Sequence, residues 1–447
     1  MPTLAVAVSI LATSQSAATF LGVPQYSYNN DFTFIGFYFS ALLAVIFLAK
    51  YFVPRFYAIK AVTVYELLEN RYGERAKKQV GVMFLIGRVM ASGARLYIAA
   101  LAVSMILFLD IGFFHMFISI ALLLLGALIF TYFGGVKSVI FSDVIQALIY
   151  VSAGGVVLYY LYHSLGNIHI IDSLQQADKL RFLDTSFDGK FSLITLLSGW
   201  FLLNVAAFGL DQDMTQRVLS CKDKTEASKS LLLSIFFTIP IVLLFLAIGA
   251  LLYLHYQGSE IHQSFQDEKI TIFMYYILNE IPSGLRGFVT VGAIAAALSS
   301  TNSVLGALAS VAVEDIYKPH KLKYEPQTPE IFFVRLSRRA VLFFASVLML
   351  MAVVSFFWQK YAGVSLISFA LGVMAFAYSG LLGVFFSAVF TKRGNQKLVL
   401  PALLGGFFTV LALQPYIFGI QIGFAWQITI GTAFAFLIMQ SGTREYK

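Results

Sequence analysis

Ala296-Ala297-Leu298-Ser299-Ser300-Thr301-Asn302-Ser303 sets hydroxyls and an amide inside an otherwise apolar run. Hydrocarbon penalises such groups unless they find partners. Ala296, Ser299 and Ser300 fall on adjacent positions of one helical face, and Ser303 lies one turn beyond Ser299. Sodium is a hard cation that accepts neutral oxygens, so two hydroxyls and a few backbone carbonyls suit it. The competing reading is an ordinary helix interface, where Ser and Thr also recur.

The composition says where such a run must reside. The chain has 447 residues, of which 59% are hydrophobic and only 12% charged. A soluble protein of this length could not cover that much apolar surface, so the chain is read as an integral membrane protein. The net charge of +8 does not point to nucleic acid, because the basic residues lie between apolar runs. The single cysteine, Cys221, excludes an intrachain disulfide and a thiolate metal cluster. No HExxH, P-loop or dinucleotide fingerprint is present, and no paired catalytic constellation argues for an enzyme.

A window of roughly 20 residues gives about 12 candidate spans. They lie near 3–24, 34–53, 79–109, 113–133, 139–163, 191–213, 230–254, 286–313, 336–358, 362–390, 397–414 and 420–440. The third and tenth are long enough to predict tilt or a break. With the N-terminus inside, the even-numbered connections and the C-terminal tail hold most of the 31 basic residues. The positive-inside bias therefore places both termini in the cytoplasm and predicts a multi-pass plasma-membrane protein, a bacterial inner membrane fitting best. The outward segments 164–190 and 255–285 carry Asp172, Asp178, Asp184, Asp188, Glu260, Asp267, Glu268 and Glu280. The apolar stretch 270–281 is too short to span. It reads as a surface or re-entrant helix lining an outer vestibule, or as a lid that only packs.

Other polar positions cluster within the spans. The first span, Ile10-Leu11-Ala12-Thr13-Ser14-Gln15-Ser16-Ala17-Ala18-Thr19-Phe20-Leu21-Gly22, is small and hydroxylated at its centre. Either it packs tightly on neighbours, or it unwinds and offers carbonyls to a cation. The fifth span holds Asp143, with Gln146 on roughly the same face. Asp143 either caps the helix or faces the bundle interior and attracts a cation. The sixth holds Asn204, then Gly209-Leu210-Asp211-Gln212-Asp213 and Gln216-Arg217, which fits a broken helix or an interfacial end. The third holds Arg88 and Arg95, seven apart on one face. Each snorkels, pairs with an acid, or meets an anionic solute, and the deeper Arg95 is the better ligand candidate. Tyr378 and Ser379 in the tenth span could line a path or hinge.

Taken in this order, the first-span motif, Gly134-Gly135 through Asp143 and Gln146, Gly209 through Arg217, and Ala296 through Ser303 resemble the sodium:solute symporter family over essentially the whole chain. The resemblance implies an all-α polytopic membrane protein with two inverted five-helix repeats, the amino acid–polyamine–organocation or LeuT-type fold, plus two C-terminal helices. The repeats would be 1–163 and 191–390, joined by an extracytoplasmic loop at 164–190 and followed by an accessory pair with a short tail at 391–447. It implies alternating access, with sodium held by carbonyls of Ala12, Gln15 and Ala296 and hydroxyls of Ser299 and Ser300. A second ion or an ion exit would use Asp143, Ser299, Asn302 and Ser303, with an asparagine where the family pattern wants a hydroxyl. Ser16, Thr19, Arg95, Asn204 and Tyr378 are the substrate-binding candidates. The resemblance puts a large amide at the Thr19 position of sugar carriers, so Thr19 argues against a hexose. Family members commonly carry one further helix ahead of the first span, so the given start is either an internal methionine or a true absence. The expected activity is sodium-driven uptake of a small polar or anionic solute by a monomer or weak homo-oligomer. A non-transporting sensor and proton coupling through Asp143 are the competing readings.

Overall fold

The computed structural model describes residues 1–166, 169–187, 189–257, 271–362, 366–420 and 422–442. Among them the chain is helical, apart from one isolated bridge between Asp184 and Ser192. Asp188, Glu260, Asp267 and Glu268 of the outward segments lie outside the described residues.

The first span is two helices, α1 (Thr3–Ser14) and α2 (Ala17–Asn29), bent by 62° at Gln15–Ser16. Next come α3 (Gly36–Tyr51) and α4 (Glu74–Phe108). The expected tilt or break does not appear as a break in α4, which runs 35 residues as one helix. α5 (Phe113–Gly135) and α6 (Ser138–Ser164) are two spans separated at Gly135, whose φ of 61° lies in the left-handed region that glycine adopts without strain. The sixth span is again two pieces, α7 (Leu193–Gly209) and α8 (Gln212–Val218), bent by 58°. Asp211 accepts from the Asp213 N–H and so starts α8 afresh.

α9 (Lys224–His255) is capped by Asp223, which accepts from the Thr225 and Glu226 N–H groups. The short apolar stretch is α10 (Ile272–Asn279), with Ile272, Phe273, Met274, Tyr276 and Ile277 buried, so it is a packed lid. α11 (Ser283–Tyr324) continues beyond its apolar part through a wider π-helical turn at Val311–Tyr317. α12 (Glu330–Ala362), α13 (Leu366–Phe390), α14 (Gln396–Ala412) and α15 (Phe424–Gln440) complete the chain.

Among the described residues, eight helices are long and apolar enough to cross a membrane, ten if each bent pair counts as one span. The two 17-residue helices α14 and α15 are apolar but shorter. Large apolar side chains such as Leu125, Phe133, Leu148, Phe236 and Leu350 face outward, as a lipid-solvated protein requires. α11 makes the most extensive pairing, along α5 and α6. Small residues allow that approach: a Cβ on Gly292 would stand 2.4 Å from the Ala153 Cβ. α11 therefore brings its polar run beside α1, α6 and α8, where the charges converge.

Candidate functional site

The break between α1 and α2 changes where backbone hydrogen bonds go. The Ser16 N–H turns to the Thr19 hydroxyl at 3.4 Å, and the Thr19 N–H goes to the Ser16 carbonyl at 2.9 Å. Among the described residues, the carbonyls of Ala12 and Gln15 thus receive no backbone N–H and remain available to a cation. The Gln15 side chain is buried between two phenols, donating to Tyr38 at 3.4 Å and accepting from Tyr150 at 3.5 Å. Ser16 is buried and Thr19 half-buried at the start of α2. One turn on, Phe20 packs against Tyr150, Phe245 and Phe273, with ring centroids 5.1–5.7 Å apart. The lid helix α10 thereby closes directly on the broken first span.

Asp143 is fully buried five residues into α6, so it faces the interior and does not cap the helix. Ser9 donates to Oδ2 at 2.6 Å, Ser299 to Oδ1 at 2.8 Å, and Arg217 Nη2 to Oδ2 at 3.0 Å. Arg217 also donates to Ser9 Oγ at 2.8 Å, to Ser303 Oγ at 2.5 Å and to the Asp213 carbonyl at 2.5 Å. Ser303 in turn donates to the Ser299 carbonyl at 2.6 Å and lies 3.3 Å from the Thr13 hydroxyl. α1, α6, α8 and α11 therefore meet at one point. Sequence reasoning found Asp143, Ser299 and Ser303 but missed Ser9, Thr13 and the pairing of Arg217 with Asp143. In sequence Arg217 fits a broken helix or an interfacial end equally well, because apolar character fades before it; the bend at Leu210–Asp211 returns it to the interior.

Two expected ion ligands, Asn302 and Ser300, stand apart from this constellation. Asn302 faces α5: its amide nitrogen, in the orientation that satisfies both groups, donates to the Ala127 and Leu298 carbonyls at 3.3 Å. The Thr131 hydroxyl donates to the Asn302 carbonyl at 3.1 Å. Ser300 bonds back to the Ala297 carbonyl at 3.0 Å and faces α4. There Ser92, Arg95, Leu96, Ser300, Thr301, Val304 and Leu348 enclose a cavity of about 10 Å³, near the lower limit for one water-sized particle. Ala296 is buried on the same helix.

The two arginines of α4 have different surroundings. Arg88 donates to Asp211 at 2.7 Å and to Asp213, both beyond the bend of the sixth span. Tyr378 of α13 donates to Asp211 as well. Tyr378 thus belongs to this ionic cluster. Arg95 meets the thioether of Met374 at 3.0 Å and, among the described residues, no carboxylate. Asn204 is buried against α3, where its amide donates to the Phe37 carbonyl at 3.3 Å. Its own carbonyl oxygen has no partner among the described residues.

Known proteins share this architecture. The pattern of the sodium:solute symporter family matches residues 1–406. The chain is 27% identical to the sodium/sialic acid symporter SiaT of Proteus mirabilis, over 97% of this chain and 85% of that protein. It is 26% identical to the human sodium-coupled monocarboxylate transporter 1, over 96% of this chain and 67% of that protein. A solved substrate-bound, outward-open sodium-coupled sialic acid symporter superposes with a TM-score of 0.84 at 22% identity, covering 100% of this chain and 92% of that one. A nucleobase-cation-symport-1 family transporter in a closed conformation shares the fold more distantly, with a TM-score of 0.54.

Proposed function

Because the chain belongs to the sodium:solute symporter family and is a sodium-coupled secondary transporter, we propose that it carries a small organic anion, bound at Arg95. The observation that carries this reading is the solitary guanidinium of Arg95. It lines the same small cavity as Ser300, a candidate sodium ligand, and has no carboxylate partner among the described residues. A half-buried cation without a paired carboxylate is costly within a span, and an anionic solute relieves that cost on binding. Relatives described as carrying sialic acid or monocarboxylates fit this chemistry.

In this reading sodium sits at the α1/α2 break, on the carbonyls of Ala12, Gln15 and Ala296 and the hydroxyls of Ser299 and Ser300. Ser299 must then turn from Asp143, and Ser300 from the Ala297 carbonyl, when the ion binds. Ser16 and Thr19 at the head of α2 face the solute, and Asn204 offers its unpartnered carbonyl. Tyr378 and Arg88 hold the bend of the sixth span. Residues 1–163 and 191–390 act as two inverted repeats that rock against each other, 391–447 supports them, and 12 spans leave both termini cytoplasmic. Ion and solute favour the same closed state, so each raises the affinity of the other.

Uptake into proteoliposomes across a panel of sugars, monocarboxylates, sialic acid and amino acids, with and without a sodium gradient, tests the proposal. We expect an anion to be carried best and Arg95→Ala to abolish its uptake. Unchanged uptake of that anion by Arg95→Ala would remove Arg95 from the site.

A further inference from the structure

Residues 62–65, between α3 and α4, are held from two sides. The Val64 N–H donates to Gln212 Oε1 at 3.3 Å, Gln212 Nε2 donates to the Val62 carbonyl at 3.2 Å, and the Tyr65 hydroxyl donates to the Leu210 carbonyl at 3.1 Å. These bonds tie the segment to the bend of the sixth span. From the other side, the Thr63 hydroxyl donates to Asp315 Oδ1 at 2.6 Å, on the π-helical turn of α11. Thr63, Val64, Tyr65 and Asp315 are all fully buried. Asp315 lies roughly 18 Å beyond Ser303 along the same helix. Three contacts therefore close a ring at this end of the bundle. Gln212 joins 62–65 to α8, Arg217 joins α8 to Ser303 of α11 at 2.5 Å, and Asp315 joins α11 back to Thr63.

Alternating access opens the site to each face in turn, so one side of this ring must part. The three sides differ in what parting costs. Pulling α8 from α11 strands Arg217 and Asp143, which are buried together. Pulling 62–65 from α8 breaks three bonds of buried backbone and amide groups. The Asp315 side is the weakest. Its Oδ2 has no hydrogen-bond partner among the described residues, so the buried carboxylate is only half satisfied in the closed form. Its cation, Lys77 of α4, stands 3.4 Å away and also holds Glu69 at 2.9 Å and Glu66 at 4.0 Å. The Glu66 and Glu69 side chains are 23% and 36% exposed, so water already reaches this cluster. When Thr63 lets go, Lys77 keeps two carboxylates and Asp315 meets water, so no charge is stranded. We propose that Asp315 is a positioning residue for transport: it latches 62–65 against α11, and its release from Thr63 opens the bundle at this end. The proposal rests on alternating access alone and not on an anion at Arg95.

Alkylation of the detergent-purified full chain by N-ethylmaleimide tests this. Cys221 is the only cysteine, so Cys221→Ser gives a silent background. In it, Val64→Cys reports on the latched segment, and Met274→Cys reports on the lid helix α10 at the other end of the path. Both positions are buried in the closed structure. A hydrogen bond to a charged group is worth about a factor of ten. Asp315→Asn and Thr63→Val are therefore each expected to raise the labelling rate of Val64→Cys about tenfold, with Met274→Cys labelled no faster. Thr63→Ser keeps the hydroxyl and is expected to hold the parental rate at both reporters. Equal rates at Val64→Cys in Thr63→Val and Thr63→Ser overturn the latch. So does a rise at both reporters, which marks general loosening. The Thr63 pair decides the matter even where Asp315→Asn does not fold. The labelling needs no carried solute, so its outcome is separate from that of the uptake panel.

Discussion

The chain breaks two of its spans, and the two breaks are built from opposite materials. At the α1/α2 bend the sequence supplies Thr13, Ser14, Gln15 and Ser16, none of which carries a charge. At the α7/α8 bend it supplies Asp211 and Asp213, which are tied to Arg88 and Arg217. A break lined by neutral oxygens can take up and release a monovalent ion, because little is lost when the ion leaves. A break held by interlocked charges is firm, since removing any one member strands another in a low dielectric. The neutral bend suits the cargo, and the charged bend suits the frame that must hold its shape while the cargo passes.

Arg217→Ala attacks the charged bend most directly and has the largest expected effect. It strands Asp143 and leaves Asp213 with Arg88 alone, at a cost of about 3–5 kcal/mol, read from denaturant unfolding in detergent. Adding Asp143→Asn to it should recover about 1 kcal/mol or more as a coupling energy. Simple additivity would show that the two residues do not act as a pair. Gly209→Ala comes next, because its Cβ would stand 2.1 Å from Leu48 Cδ2, where α7 crosses α3. We expect a loss of about 1–3 kcal/mol in the same assay.

The neutral bend should respond in function more than in stability. Joint replacement of Ser299 and Ser300 by alanine is expected to raise the sodium concentration for half-maximal uptake about tenfold, or about 1.4 kcal/mol. Ion dependence that survives intact would move the sodium site elsewhere. The smallest effect belongs to Arg181→Ala, in the segment between α6 and α7, where the arginine is half exposed and lies 2.8 Å from Asp31. About 1 kcal/mol or less is expected, shrinking further in high salt.

Much of this was legible from one dimension. Hydropathy found the long apolar helices, and the lone Asp143 and the Ser299–Ser303 run marked helices that meet. The first-span break was one of two readings of its small and hydroxylated centre, the other being tight packing on neighbours. The lid helix was visible as an apolar stretch too short to span, although its packing on Phe20 was not. Two readings needed the fold for a different reason. Arg88 and Arg95 look equivalent in sequence, seven residues apart on one helix, yet only Arg88 lies beside the acids of α8. The family resemblance implies that Asn302 joins the Asp143 group, but its amide turns to α5 instead.

The sequence by itself determined that this chain lives in a bilayer and which residues are too polar to be there without purpose. Hydrocarbon imposes those limits on each segment separately, so they can be read segment by segment. Only the tertiary structure decided which charges cancel. Pairing depends on distances between helices far apart in the chain, and the bend at Leu210–Asp211 brings Arg217 to the carboxylate of Asp143.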